Sequence, residues 1–236
     1  MDKNGHVVTL TRNSKVFDMK LVGGKNIDTL GGDGIMVMDT AGNKIWEWNC
    51  WDVWDIKNDP FIQQFAYDRF HINSLSFDTD GNYLVSLAVE DQVWKINATT
   101  GKIMWKLGKG GDFKMDTTNY FSFQHSVHIN PYGDLMVFDN SIWKKQSGAV
   151  SFSLDTVHWT ATAKINAILP RSKYTSRMGS AYVLPNRNLL QTSSKTGAVM
   201  VTGEKGNILW ELNCYFVPYR AEYIPKGLWN SYFTSE

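Results

Sequence analysis

Three segments of the chain repeat one another: GNKIWEW at 42–48, GKIMWKL at 101–107 and GNILWEL at 206–212 each set a Trp four residues after a Gly, followed by two more strand-forming residues. Such a repeat limits the fold more than any single motif, because each copy must form one supersecondary unit whose apolar faces only neighbouring copies can bury. Trp46 and Trp105 lie 59 residues apart and Trp105 and Trp210 lie 105 apart, so the second interval holds two periods of about 52. A fourth, degenerate copy is therefore expected near residues 155–166, where LDTVHWTATAKIN offers either Trp159 or Ile165 for the Trp role.

Read from 70 to 108, one unit contains four short strands, around HINSLSF, NYLVSL, QVWKIN and KIMWKL. Turn signals separate the strands: DTDGN at 78–82, ATTGK at 98–102, NPYGD at 130–134, LPNRN at 184–188 and GEKGN at 203–207. No segment sustains the apolar spacing of a long helix. An aromatic content of 14% suits pleated surfaces. The chain is expected to be all-β, a β-propeller of four-stranded blades, with about four blades at roughly 1–50, 70–109, 122–167 and 178–214 in a single domain spanning 1–236. An unclosed ring leaves two blade faces uncovered, so an incomplete propeller is expected. The connections 51–69, 110–121 and 168–177 are long for this architecture and are places to look for function.

A 43% hydrophobic share supplies a core, and 24 Lys+Arg against 23 Asp+Glu give a net charge of +1. No global field draws the chain to nucleic acid or to an anionic membrane surface, so any anion must be held by a local site. No apolar run approaches the ~20 residues that span a bilayer, and the first twenty residues lack the apolar core of a leader. Cys50 and Cys214 each follow a repeat Trp by four residues, and equivalent points on separate blades are too far apart to bridge, so free thiols are expected. No metal or cofactor is expected. His125 and His128 have HxxH spacing without an acidic partner motif, DTDGN lacks the Glu of a calcium loop, and GKGGDF at 108–113 lacks the ending of a phosphate loop.

Of five histidines, His71 in DRFHINS and His125 in FSFQHSV stand where the first strand of a blade begins, and the two read as equivalent positions in successive repeats. First strands line the axial channel of a propeller, so both imidazoles are expected to face one cavity. His128, three residues on, should point to the opposite face as packing or surface. His6 and His158 lie near turns and are expected to be solvated.

These residues resemble the bacterial arylsulfotransferases. DRFHINSLSFD is similar to that family's Asp, aromatic, His and Asn-Ser motif. FQHSVHINPYGDLMVFDN is similar to its Gln-His strand and Phe-Asp-Asn turn, and MGSAYVLPNRNLLQTSSKTGAVMVTGEKGNILWEL to its Gly-Ser-Ala and Leu-Pro-Asn blade. The resemblance covers about 40–236, corresponds to the family's later blades, and implies transfer of a sulfuryl group from an aryl sulfate to a phenol without a nucleotide donor. It also implies an extracytoplasmic or periplasmic location. Such transfer needs a group to accept the sulfuryl, donors for its oxygens and an acid for the departing phenolate, whose pKa is about 10. His71 and His125 match the family's two supporting histidines, with Asn73 and Gln124 beside them. The chain departs from the family at two places. The family's nucleophilic histidine before Gly-Ser-Ala is absent from PRSKYTSRMGSA, and the arginine after Phe-Asp-Asn is absent from FDNSIWKKQS. Lys144 or Lys145 could replace that charge, Arg171 and Arg177 could bind an oxyanion, and Tyr174 could attack or bind. The competing reading is a non-catalytic propeller that binds a partner through the aromatic loop WDVWDIKNDPFIQQFAYDR, with Trp51 and Trp54 as anchors.

Overall fold

The computed structural model describes residues 1–24, 26–225 and 227, so the end of the expected 1–236 domain lies outside the described residues. The described chain is all-β, of propeller type, with four antiparallel sheets following one another in sequence. The first holds β1 (Val7–Asp18), β2 (Ile27–Met38) and β3 (Lys44–Asn49). The second holds β4 (Ile72–Phe77), β5 (Tyr83–Leu87), β6 (Gln92–Ile96) and β7 (Ile103–Gly108). The third holds β8 (His125–Ile129), β9 (Leu135–Asp139), β10 (Gly148–Asp155) and β11 (Thr160–Ile168), and the fourth β12 (Ser180–Val183), β13 (Leu189–Ser193), β14 (Ala198–Thr202) and β15 (Ile208–Asn213).

Each sheet is a meander closed by the turn chemistry of its sequence. Asp78 N donates to Asn82 O at 2.8 Å and Asn130 N to Asp134 O at 2.9 Å, with Gly81 and Gly133 at φ of 82° and 83° in the left-handed region. Lys95 reaches back to Asp78 and Asp80 at 2.6 Å each and pins the first of these turns.

The repeat Trp marks one register position. Trp46 pairs with Val37, Trp105 with Lys95 and Trp210 with Val201, and in each case the ladder shifts by a bulge at the next pair. In the third sheet the same bulged position is Ser151 paired with Ile165, so Ile165 takes the Trp role. Trp159 lies in the preceding turn at φ 53° and packs on Phe113, 5.2 Å between ring centroids.

Strand alternation sends neighbouring residues into different inter-blade layers. Val85 joins Ile35, Trp48 and Trp94 between the first two sheets, whereas Leu84 joins Trp105, Leu107, Phe121 and Phe152 between the second and third. Met136, Phe138, Ala181 and Met200 fill the third layer. Trp105 is 6% exposed and its counterpart Trp210 is 52% exposed, so the far face of the fourth sheet is open among the described residues.

A latch recurs at the junctions. Asp33, Asp91 and Ser147 immediately precede Gly34, Gln92 and Gly148, which share one register position. Asp33 accepts from Ile72 N at 3.3 Å, Asp91 from Phe123 N at 2.9 Å, and Ser147 Oγ from Thr175 N at 3.1 Å. Each latch fixes the chain where it enters the next inner strand.

The 51–69 connection folds back on β2. A Cβ on Gly31 would meet Tyr67 O at 1.9 Å and one on Gly32 would meet the Trp51 ring at 2.4 Å, so only glycine admits this approach. Trp51 and Trp54 stack at 5.4 Å, Trp51 donates to Asn13 and Trp54 to Asp59, and the buried Arg69 guanidinium pairs with Asp59 and Glu90. Trp51 and Trp54 are therefore turned into the fold, whereas Phe61 and Tyr67 of the same loop stay exposed. Cys50 is buried, Cys214 half-buried, and both are free thiols. No helix among the described residues is long and apolar enough to cross a membrane.

Candidate active site at the blade entries

Counting back from the hairpins corrects the equivalence expected for the two histidines. His71 lies seven residues before Asp78, and the residue seven before Asn130 is Phe123; His125 takes the place of Asn73. The motif match aligned the two imidazoles, but the strand register separates them. His71, Phe123 and Met178 occupy the entries to the inner strands of successive blades, at φ of 48°, 52° and 58°. Non-glycine residues adopt left-handed backbone only where surrounding contacts impose it, and such positions cluster at functional sites.

His71 is partly open to solvent, its side chain 41% exposed. Its Nδ1 hydrogen-bonds Asp68, whose other oxygen accepts from Arg12 at 2.9 Å, while Arg12 also donates to Tyr67 O. With Nδ1–H held by a carboxylate, the lone pair is on Nε2. Nε2 has no hydrogen-bond partner among the described residues. The Phe123 ring flanks His71 at 6.5 Å between centroids. Asp33 lies in the same electrostatic neighbourhood, its carboxyl pushed above the usual range by burial.

His125 is built differently. It is 3% exposed; Nδ1 faces Asn140 Oδ1 at 2.8 Å and Phe123 O at 3.0 Å, and Nε2 accepts from Met178 N at 3.2 Å. Asn140 in turn donates to Thr175 O and Met178 O, at 2.9 and 2.8 Å. Burial pushes the imidazole down to about 4, with the charges of His71 and Arg220 acting in the same direction. His125 is a neutral strut between the third and fourth blades, with both nitrogens in use.

Asn73 and Gln124 join blades. Asn73 donates to Gln124 O at 2.8 Å, and the wholly buried Gln124 donates to Ser86 Oγ, Leu87 O and Gln92 O at 3.0, 3.1 and 2.8 Å. Lys144 is exposed and turned to Thr118 O at 2.9 Å; Lys145, Arg171 and Arg177 are also exposed. Tyr174 is half-buried, and burial raises its phenol, which opposes the ionisation an attacking group needs. His128 is held low by burial and packs on Tyr182 of the fourth blade at 4.9 Å, the blade that His125 also meets through Met178 N. The register shift between the two histidines breaks the alternation expected to put His128 on the opposite face. His6 and His158 pair with Asp2 and Asp155. No group of three or more potential metal-ligating side chains occurs among the described residues.

Arg12, Phe123, Trp143 and Arg220 reach the blade entries with no role assigned to them by a motif, whereas Asp68 opens DRFHINS. Arg220 sits on a segment tied to the fourth blade by Gly179 N to Tyr219 O and by Ala221 N to Ser180 Oγ, both 3.3 Å. Its charge disfavours protonation of His125 and His128. The only advance signal was Asp68, three residues before His71, a spacing that lets a carboxylate orient a ring. A cleft of about 790 Å³ opens at the opposite ends of the strands, around Trp46, Asp78, Tyr83 and Thr99, and is lined by none of the residues the sequence singled out for chemistry.

Among solved structures the chain is similar to a protein of unknown function from Bacteroides caccae, at 14% identity and a TM-score of 0.51, covering 82% of this chain and 65% of that one. It is also similar to virginiamycin B lyase from Staphylococcus aureus, at 13% identity and a TM-score of 0.46, covering 89% and 61%. The chain thus spans less than two thirds of the length of either. No curated protein matches it. The family model described as Arylsulfotransferase (ASST) matches residues 1–215, and the chain belongs to that family.

Proposed function

We propose that the entry to the second blade binds an aryl sulfate and a phenol and transfers the sulfuryl group between them, with His71 as the reacting base. The observation that carries this reading is the difference between the two imidazoles. His71 has Asp68 on Nδ1 and an unpartnered Nε2, whereas His125 has both nitrogens engaged. A single usable imidazole suits direct transfer. His71 Nε2 takes the acceptor's phenolic proton, and the acceptor oxygen forms the new S–O bond as the donor's S–O bond breaks. The electron pair leaves on the departing phenolate, which receives the proton back from the imidazolium. Asp68 holds the ring in place through Nδ1, and Arg12 anchors Asp68.

The experiment is an initial-rate study with p-nitrophenyl sulfate and phenol. Direct transfer requires both reactants bound together and gives intersecting double-reciprocal lines; parallel lines would indicate a sulfated enzyme and overturn the scheme. Absence of both binding and turnover would overturn the function. The partner-binding reading gains no support from Trp51 and Trp54, whose indole N–H groups are bound to Asn13 of β1 and to Asp59 of the loop itself.

A further inference from the structure

Trp143 combines two properties that rarely occur together. Its ring is 78% exposed, yet its backbone and its indole N–H are both fixed. Indole Nε1 donates to Asp91 Oδ2 at 3.3 Å, and the other oxygen of Asp91 accepts from Phe123 N at 2.9 Å, so one half-buried carboxylate sets both aromatic residues. Ser141 folds the turn beneath: its N donates to Asp139 at 2.7 Å and its carbonyl accepts from Lys144 N and Lys145 N at 3.1 and 2.8 Å. Ile142 N adds a bond to Ser122 Oγ at 3.0 Å. Asp91, Phe123, Ser141 and Lys145 all have left-handed backbone, at φ of 54°, 52°, 49° and 50°. Phe123 in turn flanks His71.

We propose that Trp143 and Phe123 form an aryl-binding lip beside His71, which takes the flat ring of a phenol or aryl sulfate and leaves its oxygen at the imidazole. This rests on the site assignment above and adds the element that selects aryl over alkyl compounds. A large ring held uncovered in one orientation has already lost its conformational freedom, so a second ring stacks on it at little ordering cost. Asp91 is the positioning residue. Its carboxylate ties the indole to the Phe123 backbone, so removing the charge frees the lip without removing a ring.

The test is calorimetric titration of the full chain with p-nitrophenyl sulfate and with methyl sulfate, which has no ring, alongside turnover with phenol as acceptor. Trp143→Ala is expected to weaken p-nitrophenyl sulfate binding roughly three- to tenfold and leave methyl sulfate unchanged, raising KM with little change in kcat. Trp143→Phe keeps a plane and retains most of the affinity; Asp91→Asn falls between the two. Wild-type affinity in Trp143→Ala, with turnover persisting, would overturn the lip and leave the His71 assignment standing. Equal losses in Trp143→Phe and Trp143→Ala would do the same. Failure of the unmodified chain to bind any aryl compound would remove both.

Discussion

At the scale of single residues, chemistry and architecture are divided between two histidines. Replacing His125 by Ala leaves the Met178 N–H and the Asn140 Oδ1 without partners inside the fold, a loss of about 1–3 kcal/mol that a urea transition would record. His71→Ala removes a partly exposed ring from a carboxylate and is expected to cost under about 1 kcal/mol. The buried groups also predict an unusual pH response. His125 is depressed from 6.5 to about 4, so between these values the unfolded chain binds more protons and stability falls as pH falls. Asp139, accepting from Ser122 N and Ser141 N, is raised by burial from 3.8 to about 7, so the folded chain holds that proton and stability falls as pH rises through the same window. The two slopes oppose one another. Asp139→Asn should therefore expose a stability that rises from pH 4 to 6.5, measured as urea midpoints; an unchanged profile would contradict it.

At the scale of elements, the blades were legible and the entries were not. Turn chemistry at Asp78–Asn82 and Asn130–Asp134 and the Gly-to-Trp repeat reflect local physics, so the strands stand where the sequence places them. The repeat even left room for Ile165 or Trp159, and a bulge conserved in register decided for Ile165. His71 and His125 were matched by motif, although their distances to the following hairpin differ by two residues, which the sequence also contains. What no local pattern carries is the approach of the 51–69 connection to Gly31, which delivers Asp68 to Arg12 and His71, or the bond from Trp143 to Asp91. Both are contacts between segments far apart in sequence. Gly31→Ala is expected to push the Tyr67 carbonyl away and dislodge Asp68, seen as lost amide-exchange protection over 66–72 and reduced turnover. Retained protection would show that the loop does not depend on that approach.

At the scale of the whole molecule, stability is a sum of layers between adjacent sheets, and the layers are unequal. Trp105 closes the second layer at 6% exposure, whereas Trp210 holds the same register position at 52% on the far face of the fourth sheet. Trp105→Ala should cost about 3–5 kcal/mol, and Trp210→Ala under about 1 kcal/mol, in paired denaturation curves. Equal costs would mean that something covers the last face in solution. The inter-blade latches place three left-handed residues around one end of the inner strands. Of these only His71 brings a titratable ring with a free nitrogen. The most direct measurement is p-nitrophenol release from p-nitrophenyl sulfate, with phenol as acceptor, by the full chain and by its His71→Ala and His125→Ala variants, each with and without added imidazole. The account predicts that His71→Ala is inactive and regains turnover with imidazole, while folded His125→Ala retains measurable turnover that imidazole does not raise. Full activity in His71→Ala, or rescue confined to His125→Ala, would contradict it.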